Sequence, residues 1–130
     1  MPTFQELVDR AEQEIECLSV ADVERMYTDA STTLIDARDI REIWREGRIP
    51  GAFHMPRGMT EFWVDSTSPY FKDMFADPDR KFVFYCNKGW RSALAAKAAR
   101  DVGLENVAHM RGGFTEWCAA GAKTENVEKK

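Results

Sequence analysis

A chain of 130 residues, 44% hydrophobic and 31% charged, is long enough to bury one core and has the composition of an ordinary globular domain. Its formal net charge of −4 argues against a nucleic-acid surface, which needs a dense basic footprint. No apolar run approaches the ~20 residues that cross a bilayer.

The opening MPTFQELVDRAEQEIE lacks the charged and apolar blocks of a secretory signal, so a cytoplasmic setting is expected. Phe4, Leu7, Val8, Ala11 and Ile15 recur at helical spacing and predict an amphipathic first helix. Its stripe is narrow, and packing on the domain is the expected role. Ile15 to Leu18 reads as a short buried strand. Ser19 with Asp22 three residues on then marks a helix N-terminus, with helix to about Tyr27. Thr32 to Ala37 is a strand, Asp39 to Glu46 a charged helix stopped by Gly47, and Ala52 to Met55 a short strand after the Pro50-Gly51 turn. Residues 56 to 79 mix Phe62, Trp63, Tyr70, Phe71 and Phe75 with Ser, Thr and Pro, and read as short helices and loops with the aromatics in the core. Lys81 to Tyr85 is the next strand, Arg91 to Val102 a helix, Val107 to Met110 a strand and Phe114 to Ala120 a last helix before Gly121. The remaining KTENVEKK has nothing to bury and is expected to fray. Strands alternating with helices predict an α/β fold with a mostly parallel five-stranded sheet covered on both faces.

Three cysteines, Cys17, Cys86 and Cys118, form no CxxC pair and no metal-like cluster, so free thiols are expected. Cys86 is the distinctive one. It follows the run Phe82-Val83-Phe84-Tyr85 and precedes an alanine-rich helix, and ligands of open α/β sheets bind at such carboxyl ends of strands. A helix N-terminus offers unpaired N–H groups and a positive dipole end. A loop curling into it makes an anion-binding nest. Gly89 permits a positive φ there, and Lys88 and Arg91 add charge. A free cysteine has a pKa of roughly 8.5, and such surroundings lower it to about 3.5–7.5. The competing account, a small apolar residue at the end of a buried strand, leaves the glycine and both cations unexplained.

The stretch Cys86-Asn87-Lys88-Gly89-Trp90-Arg91-Ser92 resembles the active-site loop of rhodanese-like sulfurtransferases. Leu34-Ile35-Asp36-Ala37-Arg38, Glu42 and Gly47-Arg48-Ile49-Pro50-Gly51-Ala52 resemble the first signature of that family. Arg111-Gly112-Gly113-Phe114-Thr115-Glu116-Trp117 resembles its closing one. The resemblance implies a rhodanese-like domain over residues 19–122, with residues 1–18 an added N-terminal helix and residues 123–130 a flexible tail. It also implies that Cys86 takes a sulfane sulfur from a donor such as thiosulfate. The resulting persulfide would pass that sulfur to cyanide, a thiol or a sulfur-carrier protein. Asn87, Lys88, Gly89, Trp90, Arg91 and Ser92 would bind the donor and cradle the persulfide, Lys88 and Arg91 at its anionic end.

The physical argument agrees, because thiolate, departing sulfite and persulfide are all anionic, and no general base, metal or cofactor is called for. Phosphatases and arsenate reductases of the same fold carry a seven-residue loop, whereas Cys86 through Arg91 is six. Tyr85 also stands where those phosphatases usually have histidine. A binding-only module is the other alternative, although such modules often lose the cysteine. Two departures from the family pattern are Arg48, where histidine is common, and the bulky Trp90, which would wall the pocket.

Asp36 and Arg57 are candidates to support the pocket, with pairing to Arg38 or Arg41 expected for Asp36 and a solvated surface position the rival for Arg57. Glu42 is expected to pair with Arg38. His54 and His109, the only histidines, are expected at surface or strand-edge positions. The partners implied are a small sulfur donor and a thiol, cyanide or sulfur-acceptor protein, with no nucleic acid and no membrane, in a monomer or homodimer.

Overall fold

Thr3 caps the first helix by accepting the Glu6 backbone N–H, which satisfies one of the donors a helix start leaves open. In this computed structural model, which describes residues 1–129, the chain runs α1 (Phe4–Glu14), β1 (Glu16–Leu18), α2 (Val20–Met26), β2 (Thr32–Asp36), α3 (Ile40–Glu46) and β3 (Phe53–His54). It continues through α4 (Thr60–Val64), β4 (Lys81–Tyr85), α5 (Trp90–Asp101), β5 (Val107–Met110) and α6 (Gly113–Ala119). Ser19–Asp22 and Asp39–Glu42 each close a reciprocal capping box, so both helices start where short polar residues precede an acid by three.

The five strands form one parallel sheet in the order β1-β5-β4-β2-β3. β4 is central and buried on both faces, which is why its sequence is a continuous apolar run. Alternate residues split between two cores. Phe82 and Phe84 pack with Val64 of α4 and Ala95, Ala96 and Ala99 of α5. Val83 and Tyr85 face Val23 of α2 and Phe114 and Trp117 of α6. Each fully buried aromatic contributes about 1.5–3 kcal/mol by area. The alanines let α5 lie close to the sheet while its outer side receives α1, through Val8 and Ala11 against Ala93.

Two expectations change. The segment after Gly121, expected as a flexible tail over 123–130, folds back. Arg48 and Glu125 form an antiparallel bridge and an ion pair of 2.6 Å, and the Trp117 indole donates to the Lys123 carbonyl. A polar segment can be held by backbone pairing and a single ion pair with no buried side chain of its own, which composition does not reveal. Lys130 lies outside the described residues. The stretch 56–79 is short helices and loops as expected, with α4 and two 3-10 turns, Arg57–Met59 and Asp73–Ala76. Finally, α5 begins at Trp90, one residue before Arg91, because Gly89 takes φ 90° and caps it.

Candidate active site

Cys86 leaves the end of β4 and is 1% exposed. The loop turns back so that the Gly89 N–H donates to its Sγ at 3.2 Å and the Ser92 N–H at 3.3 Å. Gly89 takes its left-handed conformation, which an L side chain resists, so the glycine is needed for φ; space for a Cβ is available. The loop is also gripped from beneath. Phe114 donates its N–H to the Cys86 carbonyl at 2.7 Å, and Thr115 to that of Asn87 at 3.2 Å. Gly113, at φ 62°, runs so close that a Cβ would collide with both carbonyls. With its carbonyls engaged by the start of α6, the loop turns N–H groups toward the sulfur. This is a built anion cradle.

Above the sulfur lies a cavity of about 220 Å³ lined by Cys86, Asn87, Lys88, Trp90 and Arg91. Trp90, 43% exposed, forms one wall; its ring meets Phe4 of α1 at 5.0 Å and carries the Lys88 ammonium at 5.4 Å. Arg91 is not free, because Glu42 holds its guanidinium with two bonds, at 2.7 and 3.0 Å, and also accepts from the Asn87 amide at 3.0 Å. The hydrogen bonds from Arg91 keep the Glu42 carboxyl below the usual carboxylate range. Glu42 therefore pairs with Arg91, not with Arg38 as helical spacing predicts. Its capping bond to Asp39 turns it along the loop side of α3, a signal the Asp39–Glu42 spacing already carried.

Arg38, 0% exposed, instead holds Asp36 with bonds of 2.9 and 2.7 Å and donates to the Gly47 carbonyl at 2.8 Å. Tyr85 donates its hydroxyl to Asp36 at 2.7 Å and accepts the Ile49 N–H. Burial and the neighbouring Asp36 push the Tyr85 phenol well above its ordinary value. This cluster stands behind the loop and reaches it through one bond of 3.3 Å, from Arg38 to the Asn87 side-chain oxygen. Arg57 pairs with Glu61 and lines a different groove, between α1 and α5, so it does not reach the Cys86 cavity.

The histidines divide. His54 is half-buried, its Nε2 2.7 Å from the Arg38 carbonyl. His109 was expected at a surface or edge, yet it sits on β5, between β1 and β4, and is 0% exposed. Its Nδ1 is 3.1 Å from the Ser92 hydroxyl and its Nε2 is 2.8 Å from Glu12 of α1. Ser92 Oγ in turn lies 3.6 Å from the Cys86 sulfur. The alternation of a strand buried on both faces gives no hint of which neighbour a histidine meets, so neither His109 nor Glu12 was legible as part of the site. Glu12, His109 and Cys17 bring one ligand atom each within 4.8 Å of one another, but Arg111 already sits on Glu12 at 3.1 Å, and a further cation there is disfavoured. Cys17 is half-buried and Cys118 exposed. Burial raises both thiols.

The fold and this cradle define an α/β protein with a buried cysteine held at the carboxyl edge of a parallel sheet under converging backbone N–H groups. Comparison with known proteins is more specific. The Rhodanese family model (Rhodanese-like domain) matches residues 19–120, and the chain belongs to that family. It is 30% identical over 105 residues to thiosulfate sulfurtransferase GlpE of Shewanella oneidensis, covering 81% of this chain and 94% of that one. It is also 30% identical over 99 residues to the mouse thiosulfate sulfurtransferase/rhodanese-like domain-containing protein 3, covering 73% of this chain. The chain spans 63% of that relative's length and between 15% and 27% of several larger curated relatives. A structure of a protein of unknown function from Rhodopseudomonas palustris, titled a possible tyrosine phosphatase, is 47% identical with a TM-score of 0.91, each chain covered over 96%.

Proposed function

We propose that this protein is a sulfurtransferase that carries sulfane sulfur as a persulfide on Cys86, taken from a thiosulfate-like donor and passed to cyanide, a thiol or a sulfur-carrier protein. The observation that carries the proposal is the convergence of the Gly89 and Ser92 N–H groups on one buried sulfur. In the first half-reaction the Cys86 thiolate attacks the outer sulfur of the donor, a Cys86 S–S bond forms, and the donor's own S–S bond breaks to release sulfite with the bonding pair. The negative charge moves outward by one sulfur, into the cavity lined by Asn87, Lys88, Trp90 and Arg91. Fixed N–H donors stabilise such a charge without reorganising. Lys88 meets no carboxylate among the described residues, only the face of Trp90, so it offers its charge to the donor, while Arg91 shares its own with Glu42. The persulfide then yields its terminal sulfur to the acceptor and restores the thiolate. Free thiols and a reducing, cytoplasmic setting suit this cycle, and among the described residues no helix is long and apolar enough to cross a membrane.

The second proposal, hydrolysis of a phosphate ester, is favoured by the 47% identical Rhodopseudomonas protein, described as a possible tyrosine phosphatase. The six-residue loop from Cys86 to Arg91 weighs against it, as does an arginine already clasped by Glu42. Incubation with thiosulfate followed by intact mass and peptide mapping separates the two, with Cys86→Ser as control. One added sulfur on Cys86, removed by cyanide as thiocyanate, supports sulfur transfer. No added sulfur together with hydrolysis of an aryl phosphate would replace it with the phosphatase.

A further inference from the structure

The chain Cys86–Ser92–His109–Glu12 is continuous from the buried sulfur to the outer helix α1, and Glu12 lies outside the residues matched by the family model. The proton positions in it follow from chemistry. Glu12 is held below the usual carboxylate range; burial opposes this, but the bonds from His109 and Arg111 outweigh it. An ionised carboxylate only accepts, so Nε2 of His109 must carry its proton. In the neutral ring Nδ1 is then bare, and at 3.1 Å it accepts a hydrogen bond from the Ser92 hydroxyl. That leaves the Ser92 oxygen as the acceptor for the Cys86 S–H. Every link in the thiol state is satisfied, and every link points the same way, outward from the sulfur to the carboxylate.

We infer that this chain is a proton store for the nucleophile: when Cys86 ionises, its proton is retained on His109 through Ser92, with Glu12 as the counter-charge. The S–H bond breaks while Ser92 gains that proton; the Ser92 O–H bond breaks while Nδ1–H forms. The cysteine becomes a thiolate, the imidazole an imidazolium, and no proton leaves the protein. The reversed Ser92 hydroxyl now donates to the sulfur alongside the Gly89 and Ser92 N–H groups. The same arrangement suits the persulfide, which keeps the single negative charge.

The groups around His109 support this and bound it. Glu12 from α1 favours the imidazolium. Arg111, beyond β5 and also on Glu12, opposes it, and Cys17 of β1 is close with a thiol that burial keeps protonated. Burial pushes His109 below its ordinary value against the pull of Glu12. The ring is therefore neutral until a negative sulfur appears one hydroxyl away, which couples its protonation to the state of Cys86. His109 and Glu12 act through Ser92 and are positioning residues. The inference deepens the sulfur-transfer proposal, and its test does not require turnover.

Imidazole nitrogen shifts of His109 are to be followed from about pH 5 to about pH 9 in the reduced protein, in Cys86→Ser, and in wild type blocked with iodoacetamide, which removes the thiolate without any mutation. Expected is an imidazolium in the reduced protein over the range where Cys86 alkylates rapidly, and a neutral ring carrying its proton on Nε2 in the blocked protein and in Cys86→Ser. The same neutral ring in all three overturns the proton store. In parallel, Glu12→Gln, which keeps the shape of the contact and drops its charge, lowers the alkylation rate near neutral pH about tenfold, and Glu12→Asp restores part of it. Superimposable alkylation profiles for wild type and Glu12→Gln overturn the role of Glu12, with a thermal melt reporting whether α1 stays docked. An imidazolium in a protein that takes no sulfur from thiosulfate keeps the inference and removes the sulfur-transfer proposal.

Discussion

Two buried polar clusters flank the Cys86 loop, and they differ in what their hydrogen bonds can do. On one side Asp36, Arg38 and Tyr85 tie β2, β4 and the Gly47 turn together. Its central link is an ion pair with fixed protons, closed around an always-charged guanidinium. On the other side Glu12, His109 and Ser92 connect α1, β5 and α5 to the sulfur. Each inner link is a hydroxyl, an imidazole or a thiol, whose proton can sit on either partner. A cluster of the first kind holds a shape; one of the second kind can answer a change of charge at the nucleophile. Both stand behind the same loop, so the contrast can be broken experimentally by asking which of them moves stability and which moves reactivity.

The largest effect is expected at Arg38. Arg38→Met leaves Asp36 buried without its cation, which costs about 3–5 kcal/mol. Urea unfolding should show that loss, while the pH dependence of Cys86 alkylation in the remaining folded protein keeps its shape. An unchanged unfolding midpoint would break the comparison from the structural side. Gly113→Ala comes next. Its positive φ and the collision with the Cys86 and Asn87 carbonyls predict a loss of about 1–3 kcal/mol together with slower thiosulfate turnover, because the loop must shift to make room. Full activity in that variant would mean that α6 does not set the cradle.

Tyr85→Phe sharpens the contrast at smaller scale. It removes the hydroxyl shared by Asp36 and the Ile49 N–H and should cost about 1–2 kcal/mol in the same unfolding assay. Glu42→Gln is the smallest. The carboxyl is held low by Arg91, so its contribution is present above its unfolded value of about 4.3 and is lost as pH falls through the folded value. With Arg91 partly exposed, solvent screening limits the pair to about 0.5–1 kcal/mol. The stability gap between wild type and Glu42→Gln should therefore close in acid. A gap that persists there would show that packing, and not charge, is what Glu42 supplies.

Much of this was legible in residues taken in order. The β4 run and the cap signal at Ser19 matched their elements because local patterning and burial agree there. Glycine at position 89 after a thiol announced the cradle for the same reason. The partners of Glu42 and His109 were not legible. Arg38 and Arg91 compete for Glu42 across 49 residues of chain to Arg91, and helical spacing favoured the near one. His109 meets Glu12 across 97 residues, where spacing carries no information.

The amino-acid sequence by itself determined the order of elements, the parallel sheet and the placing of Cys86 at a strand-to-helix junction, because those depend on periodicity and backbone preferences within a few residues. Only the tertiary structure decided which charges cancel and which protons can move. Packing α1 on α5 sets Glu12 beside His109, and docking α3 beside the loop sets Glu42 on Arg91. Electrostatic partners are chosen by distance through space, and distance through space is what the fold creates.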